Sequence, residues 1–408
     1  MCYDQGTTGL PKAAVILHSK MFGFGGGIRI AFGVKQDDIV YTCLPLFHSA
    51  GGGLGAGMML TGGVTMVLRK KFSAKNFFSD CAKHNVTVVQ YIGELCRYLL
   101  ASPPNDLVDK KHQVRVAIGN GLRPEIWPEF QKRFNIPEIG EFYGSTEGNG
   151  ALFNHCSTPE GVGAVGRLGA LLKRATGMKL AKFDVLNDVL VRGPDGFCIE
   201  VGPGEPGELL MPIKPDDPST RFAGYSDAKA TEKKIVRDAF VKGDMYFTTG
   251  DLLSRDAKGY YHFVDRIGDT FRWKGENCST TEVTEVISTF PGVEDCNVYG
   301  VVVPNNQDGR APCAALTPKD GDMKNLDLNA LLKHCSKNLP AYAVPLFIRV
   351  TPQIAVTATL KHQKGDLRNE GIDISKVKDA IYYWNGDKGY VPLTPELYAK
   401  ITTPNARL

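Results

Sequence analysis

VTVVQY, at residues 86–91, is a continuous apolar and β-branched run, which is typical of a strand buried on both faces. A second run of this kind, VRVAI, follows at residues 114–118. Between them, residues 94–101 have helical spacing, and another helix is predicted at residues 125–134, after Pro124. Strands that alternate with helices predict a doubly wound, mostly parallel sheet, and therefore an α/β fold.

The pattern changes twice further along the chain. After residue 161, short strand-like runs alternate with Gly and Pro turns such as GPGEPG at residues 202–207, which predicts an antiparallel, barrel-like region. Later, strand-like runs at residues 293–303 and 311–316 precede an amphipathic helix. We therefore expect a large domain at residues 1–264 and a small α+β domain at residues 265–408.

Composition excludes several classes of protein. The 408 residues are 23% charged and 43% hydrophobic, which argues against collagen, coiled coil and wholesale disorder. The net charge of +4 is too small to indicate a nucleic-acid partner. The ten cysteines form no CxxC pair, so they are interpreted as core residues of a protein in a reducing compartment rather than as zinc ligands. The first residues do not resemble a secretory signal.

Residues 49–68 contain no charge and are long enough to span a bilayer. Seven of these twenty residues are glycine, however, and the pair Gly62-Gly63 divides the segment. A glycine-rich helix, a tight turn and a strand at residues 64–69 therefore explain it better than a membrane span.

The densest group of anion-binding residue types is GTTGLPK, at residues 6–12. Glycines let backbone N–H groups approach phosphate oxygens, while the threonines add hydroxyl donors and the lysine adds positive charge. The alternative is an ordinary Gly-Thr turn, and a Walker A loop is excluded because no Gly-Lys-Ser/Thr ending is present. No strand is predicted before this loop, so we expect a segment upstream of it to be missing. The candidate phosphate-binding residues are Gly6, Thr7, Thr8, Gly9 and Lys12.

Other candidate groups follow strand-like runs. The turn Gly119-Asn120-Gly121 comes where a doubly wound sheet would bind a ligand. Thr146 and Glu147 could bind a phosphate oxygen and its Mg²⁺, and Asp251 could hold the two hydroxyls of a ribose. Plain turns, capping turns and a turn aspartate are the alternatives.

Three more features are ambiguous when taken alone. His48 ends an apolar run and is either a core histidine or a site residue. The charge-rich segment at residues 265–277 has the composition of a solvated linker, and Lys361 lies on a predicted loop.

Taken together and in this order, these motifs resemble those of the adenylate-forming enzymes, which include acyl-CoA synthetases, luciferases and peptide-synthetase adenylation domains. The similarity is greater still to one branch, the fatty acid transport proteins, also called very-long-chain acyl-CoA synthetases. The strings that carry it are QYIGELCRYL at 90–99, GDTFRWKGEN at 268–277, STTEV at 279–283 and GDKGYVPL at 386–393.

This resemblance implies the adenylate-forming fold and a two-step ligation of a fatty acid to coenzyme A, with ATP and Mg²⁺. It also implies a role in fatty acid uptake and a location on the endoplasmic reticulum, plasma membrane or peroxisome, with the catalytic part facing the cytosol. The resemblance implies that residues 6–12 bind the phosphates and that the Gly119–Gly121 loop, with Tyr143 and Gly144, borders adenine. It implies that Thr146 bonds the α-phosphate, Glu147 holds Mg²⁺, Asp251 with Arg266 binds the ribose, and Lys361 acts in adenylation. It also implies that His48 stands near the acyl carboxylate, that Gly268 is the pivot of the small domain and that Gly275 borders the pantetheine route.

Two departures from the family pattern bear on activity. Asp4-Gln5 stands where the family has Thr-Ser before the glycine loop, and we expect the N-terminal segment of full-length relatives to be missing. A catalytically impaired fragment or a non-catalytic acyl-chain binding protein is therefore the alternative. A nucleotide-dependent oxidoreductase, suggested by Gly51-x-Gly53-x-x-Ala56, is disfavoured because no acid follows about twenty residues later.

Overall fold

The fold is described from a computed structural model. It describes residues 2–4, 12–185, 187–214, 216–217, 220–306, 308–357 and 362–403. The predicted site residues Gly6, Thr7, Thr8, Gly9 and Lys361 lie outside these ranges.

A short antiparallel hairpin begins the described chain. β1 (Cys2–Asp4) pairs with β2 (Lys12–Ala14), with Tyr3 opposite Ala13. A strand therefore does precede the glycine loop, and the prediction that none does is wrong. Three residues are too few to show the periodicity that identifies a strand from sequence, and pairing with β2 defines this one.

A mostly parallel six-stranded sheet follows, in the order β4-β3-β5-β6-β7-β8, and only the pair β7–β8 is antiparallel. Adjacent residues Val88 and Val89 are both fully buried, one in the core on each face of the sheet. The predicted doubly wound sheet is thus confirmed. Its strands are β3 (Ile39–Thr42), β4 (Thr65–Leu68), β5 (Val88–Ile92), β6 (Val116–Asn120), β7 (Glu138–Tyr143) and β8 (Leu152–Cys156), and the helices of this part are α1 (His18–Ala31), a π-helix (Ser49–Ala56), α2 (Gly57–Gly62), α3 (Phe77–Lys83), α4 (Gly93–Ala101), α5 (Asp106–Asp109) and α6 (Trp127–Phe134).

The uncharged segment at residues 49–68 folds as predicted. The π-helix and α2 are followed by Gly63, which has a φ of +65° and ends α2, and then by β4. No helix among the described ranges combines the length and the apolar character needed to cross a bilayer. Gly25 of α1 packs directly on Gly57, because a β-carbon on Gly25 would lie 2.2 Å from the Gly57 carbonyl carbon. This close approach brings α1 against the π-helix and α2.

The middle of the chain forms a six-stranded antiparallel sheet, in the order β10-β13-β15-β16-β9 with β14 paired to β15, as the Gly/Pro pattern predicts. Its core contains Leu209, Phe247 and Leu253. The elements are a 3₁₀ turn (Pro159–Gly161), β9 (Gly166–Arg167), α7 (Ala170–Thr176), β10 (Lys179–Ala181), β11 (Phe183–Asp184), β12 (Val189–Leu190), β13 (Gly207–Pro212), α8 (Ala228–Glu232), β14 (Ile235–Arg237), β15 (Met245–Arg255) and β16 (Tyr260–Arg266).

The last part, called here the C-terminal region, has its own core around a five-stranded sheet in the order β19-β20-β21-β22-β23. Its α+β composition confirms the prediction, whereas the domain limit between residues 264 and 265 stays a prediction. The elements are β17 (Phe271–Trp273), β18 (Glu276–Cys278), α9 (Thr280–Ser288), β19 (Val293–Val302), β20 (Arg310–Pro318), 3₁₀ turns (Lys319–Gly321, Met323–Asn325), α10 (Leu328–Asn338), β21 (Phe347–Val350), α11 (Gly365–Glu370), β22 (Ala380–Trp384), a 3₁₀ turn (Gly386–Lys388), β23 (Tyr390–Pro392) and α12 (Pro395–Ile401).

The nine cysteines from Cys43 to Cys335 are all buried and form no disulfide. Burial raises the pKa of these thiols, for example that of Cys43 to about 12, so they stay protonated near neutral pH. They act as small apolar core residues.

Candidate functional site

A cavity of about 860 Å³ opens where the parallel strands β6 and β7 end, and β15, β16, the π-helix and α1 complete its wall. Eight of the residues singled out from the sequence line it, although they are spread over more than two hundred positions. They are His48, Asn120, Gly144, Thr146, Glu147, Asp251, Arg266 and Gly268. The carboxyl edge of a doubly wound sheet is where this architecture binds ligands.

The turn after β7 places Thr146 and Glu147 in the cavity. Ser145 holds this turn, because its hydroxyl accepts a hydrogen bond from the Gly148 backbone N–H at 3.1 Å. The Thr146 hydroxyl lies 3.2 Å from that of Ser49 at the start of the π-helix. Lys20 of α1 donates to the Thr146 carbonyl at 2.7 Å, which ties the turn to the opposite wall.

The Glu147 side chain provides a test of whether a cation fits here. The residue is only 6% exposed, and no hydrogen bond or ion pair joins its carboxylate to the described residues. Carboxylate and hydroxyl oxygens are ligands that Mg²⁺ prefers, and Glu147 and Thr146 both line the cavity. Glu147 beside the Thr146 hydroxyl therefore fits a hard divalent cation.

Asp251 lies in β15, directly after Gly250, whose φ is +79°. The Gly250 N–H donates to the buried Glu208 carboxylate at 2.9 Å, which fixes this irregular point of the strand. The Tyr143 hydroxyl donates to the Asp251 carboxylate at 2.6 Å. Burial raises the pKa of Asp251, although the Arg266 charge, the Tyr143 hydrogen bond and Lys234 act to lower it.

Arg266 stands opposite Asp251 in the register of β15 and β16. The charge-rich segment that follows is not a solvated linker, and that interpretation is wrong. Asp265 is 2% exposed and accepts hydrogen bonds from the N–H and hydroxyl of Thr280, at 2.6 and 3.1 Å. Asp269 is 6% exposed and pairs with Lys364 and Arg368. The charges of this segment anchor the C-terminal region, and composition alone does not reveal that role.

His48 is half-buried, so it is not a core histidine, and its role at the site stays a prediction. Its Nδ1 accepts a hydrogen bond from the Ala50 N–H at 3.2 Å and thereby caps the π-helix. The residue also lines the cavity. The structure thus gives His48 a structural contact while leaving it at the site.

The Gly119–Gly121 turn contributes only Asn120 to the cavity wall. Gly119 and Asn120 still belong to β6, so the strand continues two residues further than predicted. Gly121, with a φ of +75°, donates its N–H to the carboxylate of Glu141, which also accepts from the Tyr91 hydroxyl. Glu141 is fully enclosed in β7 and was not among the residues singled out from the sequence.

Two other candidates lie away from the cavity wall. Tyr143 reaches the site only through its hydroxyl, which is bonded to Asp251. Gly275 lies at the β17–β18 hairpin, where it and Lys274 have φ values of +84° and +49°. Positive φ at both central positions explains a glycine there.

The cavity wall also includes residues that no sequence motif marks. Lys20 and Arg221 line it, as does Lys234, whose ammonium donates to the Thr248 and Thr249 carbonyls at 3.3 and 3.2 Å. An apolar wall of the same cavity comes from α1, the π-helix and the adjoining strands, and is formed by Phe24, Ile28, Leu54, Phe142 and Phe153. The Lys20 ammonium lies 5.5 Å from the centre of the Phe24 ring, so cations and apolar side chains are neighbours here. The cavity therefore offers both cations and apolar side chains to a ligand with an anionic head and an apolar body.

Comparisons with known proteins agree with this architecture. A family model described as AMP-binding enzyme matches residues 1–212, and the model of the AMP-binding enzyme C-terminal domain matches residues 282–361. The chain is 45% identical to long-chain fatty acid transport protein 1 of Mus musculus over 98% of this chain and 61% of that protein. It is also 45% identical to long-chain fatty acid transport protein 2 of Rattus norvegicus, over 100% of this chain and 64% of that protein. The chain thus spans a little over three fifths of the length of these curated relatives.

Solved structures show the same fold. ATP-bound MatB from Rhodopseudomonas palustris has a TM-score of 0.74 at 22% identity, with 90% of this chain and 67% of that chain covered. O-succinylbenzoate coenzyme A synthetase (MenE) from Bacillus subtilis, in complex with ATP and magnesium ion, has a TM-score of 0.69 at 22% identity, covering 90% and 68%. The predicted fold class and the predicted resemblance are both confirmed.

Proposed function

Because this chain belongs to the AMP-binding enzyme family, we propose that it joins a long-chain fatty acid to coenzyme A at the expense of ATP. The observation that carries the proposal is the single cavity that brings together eight of the predicted site residues beside an apolar wall. The names of the relatives, long-chain fatty acid transport proteins, support a fatty acid as the substrate.

The proposed reaction has two steps. A carboxylate oxygen of the fatty acid attacks the α-phosphorus of ATP, the bond to the β-phosphate oxygen breaks, and pyrophosphate leaves. The sulfur of coenzyme A then attacks the acyl carbon, the thiol proton is released, and AMP leaves with the electron pair of the broken C–O bond. Positioning and charge stabilisation are the main contributions a protein makes to transfer at phosphorus.

Each group of the cavity takes one role in this proposal. Asp251 and Arg266 hold the ribose, Asn120 borders the adenine, and Thr146 donates to the α-phosphate. Glu147 would hold Mg²⁺, which supplies charge neutralisation at the phosphates when bound. His48 stands near the acyl carboxylate. The family resemblance adds the glycine loop at residues 6–12 for the phosphates and Lys361 for the adenylation step.

Gly268 is proposed as the pivot about which the C-terminal region turns between the two steps. It lies on the cavity wall at an exposed position, and a β-carbon built on it would meet nothing within 4 Å. Its carbonyl accepts a hydrogen bond from Arg368 at 3.1 Å. The backbone there is free of close packing on its side-chain face, which suits a hinge. Gly275 would then border the pantetheine route.

A membrane-associated location and a role in fatty acid uptake are part of the same proposal. They rest on the names of the relatives, which are long-chain fatty acid transport proteins. The apolar wall of the cavity is consistent with an acyl substrate that is sparingly soluble and reaches the protein from a membrane surface.

The test is oleate-dependent exchange of labelled pyrophosphate into ATP by the full chain with Mg²⁺. Asp251→Asn should lower exchange by roughly tenfold or more, because it removes the charged partner of the ribose. Asp256→Asn, a change of the same kind just beyond β15, is the matched control and should leave exchange unchanged. Lys361→Ala should abolish exchange.

Two results would contradict ligase activity. Absence of exchange from folded protein with oleate and with shorter acids would exclude the first step. Oleate binding without exchange would favour a non-catalytic acyl-chain binding protein instead.

A further inference from the structure

Ala50, near the start of the π-helix, has both of its backbone polar groups held by side chains. Its N–H donates to His48 Nδ1 at 3.2 Å, and its carbonyl accepts from Gln90 Nε2, also at 3.2 Å. His48 directly precedes the π-helix, whereas Gln90 lies in β5, forty positions after Ala50 in the chain. The backbone of Ala50 is therefore fixed between a histidine of the cavity wall and an amide of the central sheet.

Gln90 is a polar side chain enclosed in the core. The residue is only 2% exposed, and its Oε1 finds no hydrogen-bond donor among the described residues. A buried polar atom without a partner is costly, whereas a leucine or methionine would fill the same space without this cost. The hydrogen bond to Ala50 is therefore the contact that explains an amide at this position.

The π-helix is closely fitted around this amide. A β-carbon on Gly55 would lie 2.7 Å from Gln90 Oε1, so the glycine leaves the room that the amide occupies. At the start of the same helix, a β-carbon on Gly51 would lie 2.4 Å from the Pro45 carbonyl oxygen. Close packing on both sides leaves the first turn little room to shift, so Gln90 helps to decide where the Ala50 N–H points. π-helical turns are rare and are frequent at functional sites.

The Ala50 N–H in turn decides which nitrogen of the neutral His48 ring carries the proton. Nδ1 accepts a hydrogen bond and therefore holds no proton, so the proton lies on Nε2. His48 lines the cavity, and the hydroxyl of the next residue, Ser49, lies 3.2 Å from that of Thr146. In this tautomer His48 is a hydrogen-bond donor, which suits a carboxylate because a carboxylate only accepts.

We propose that Gln90 is a positioning residue for His48. Through Ala50 it keeps the neutral ring in the Nε2–H tautomer, which donates a hydrogen bond to the carboxylate of the acyl substrate. This inference rests on the proposed ligation of a fatty acid, and it adds to that site a residue that does not line the cavity. Because Gln90 acts through His48, its loss should weaken binding of the acyl carboxylate more than binding of ATP.

The first experiment observes the His48 ring directly. The full chain is labelled with ¹⁵N-histidine, and the shifts of the ring nitrogens are recorded by NMR at a pH at which the ring is neutral, where they distinguish the two tautomers. His48→Gln identifies the signals of His48 among those of the eight histidines. Two variants disturb the amide: Gln90→Met removes it at similar volume, and Gly55→Ala presses on it from the π-helix.

The second experiment measures the KM for oleate and the KM for ATP separately in pyrophosphate exchange. Asn154→Leu is the matched control for both experiments. Asn154 is also 2% exposed, and its Nδ2 donates to the Gly161 and Ala164 carbonyls at 2.7 and 2.8 Å, away from the cavity wall. Thermal unfolding checks that each variant is folded.

Wild-type His48 should show the Nε2–H tautomer. Gln90→Met should show a mixture of tautomers and a KM for oleate raised roughly fivefold or more, while the KM for ATP stays within about twofold. Gly55→Ala should change both readouts in the same direction. Asn154→Leu should unfold at a lower temperature but keep the wild-type tautomer and both KM values.

The proposal is overturned if the wild-type ring carries its proton on Nδ1, if Gln90→Met keeps the wild-type tautomer, or if it raises both KM values equally. Should Gln90→Met not fold, the wild-type spectrum and Gly55→Ala decide in the same way. If the wild type itself shows no exchange, the proposed function has failed, and the NMR readout alone decides whether Gln90 positions the His48 ring.

Discussion

Glu141 gives a pH dependence of stability that can be measured directly. The residue is 1% exposed in β7, and burial raises the pKa of its carboxyl to about 8, although hydrogen bonds from Tyr91 and from the backbone of Gly121 and Leu122 act to lower it. The folded protein therefore holds a proton that the unfolded chain has lost. This contribution to stability is fully present below about pH 4.5 and is lost as the pH rises through about 8.

The magnitude follows from the size of the pKa change. A rise from 4.5 to about 8 corresponds to about 5 kcal/mol over the whole titration. Between about pH 6 and about pH 8 the wild type should lose about 2 kcal/mol, equivalent to a fall in Tm of roughly 2–4 °C for a chain of this size. Glu141→Gln removes the titration but keeps a carbonyl oxygen that can accept from the Gly121 N–H.

The assay is thermal unfolding of wild type and Glu141→Gln across this pH range. The variant should have the flatter profile, and the difference isolates Glu141 from every other titrating group. Glu138→Gln, at the half-buried start of the same strand, should follow the wild type. Parallel profiles for wild type and Glu141→Gln would refute the reasoning, because they would show that Glu141 does not change its charge in this range.

Three further predictions test a close backbone contact, a hydrogen bond and a buried carboxyl. Gly93→Ala should lower the free energy of unfolding in urea by about 1–3 kcal/mol, since the added carbon would lie 1.7 Å from the Gly121 carbonyl oxygen. Gly26→Ala is the control and should be neutral or slightly stabilising, because its added carbon would meet nothing within 4 Å. Tyr143→Phe should lower the free energy of unfolding by about 1–3 kcal/mol, because Asp251 loses a 2.6 Å hydrogen bond, and an unchanged urea midpoint would contradict this. Burial and nearby Glu125 raise the pKa of Glu285 to about 7. Glu285→Gln should therefore be up to about 3 kcal/mol more stable than wild type near pH 8 and equal to it near pH 4. Urea titrations of both proteins at these two pH values would reveal this convergence.

The parts of the fold that the sequence could predict are those with a local signal. β5 and β6 were placed within two residues, because β-branched apolar runs are read without knowing their partners. The turn at Gly63 and the helix α4 are also predictable, because a glycine pair and helical spacing are local signals too. β1 was missed, since its three residues become a strand only through pairing with β2.

The site was predictable only where a motif marks it. Thr146, Glu147 and Asp251 stand in strings whose residue types suggest phosphate, Mg²⁺ and ribose contacts, although turns are the alternative for each string alone, and they do line the cavity. Glu141 has no such signal, because its partner Tyr91 is fifty positions away and a glutamate before Phe-Tyr-Gly looks like any strand residue. Lys234 was missed for the same reason, as its contacts with β15 exist only in the folded chain.

The string at residues 90–99 shows why a long motif need not touch a substrate. Gln90 donates to the Ala50 carbonyl at 3.2 Å, Tyr91 bonds Glu141, Gly93 abuts Gly121, and Arg97 reaches the C-terminal region. Alternation along β5 sends Gln90 and Tyr91 to opposite faces, and the helix that follows directs Arg97 outward. One short segment therefore contacts the π-helix, the Gly121 turn and the C-terminal region together, so a change at any of these positions should alter the relation between them rather than a single ligand contact.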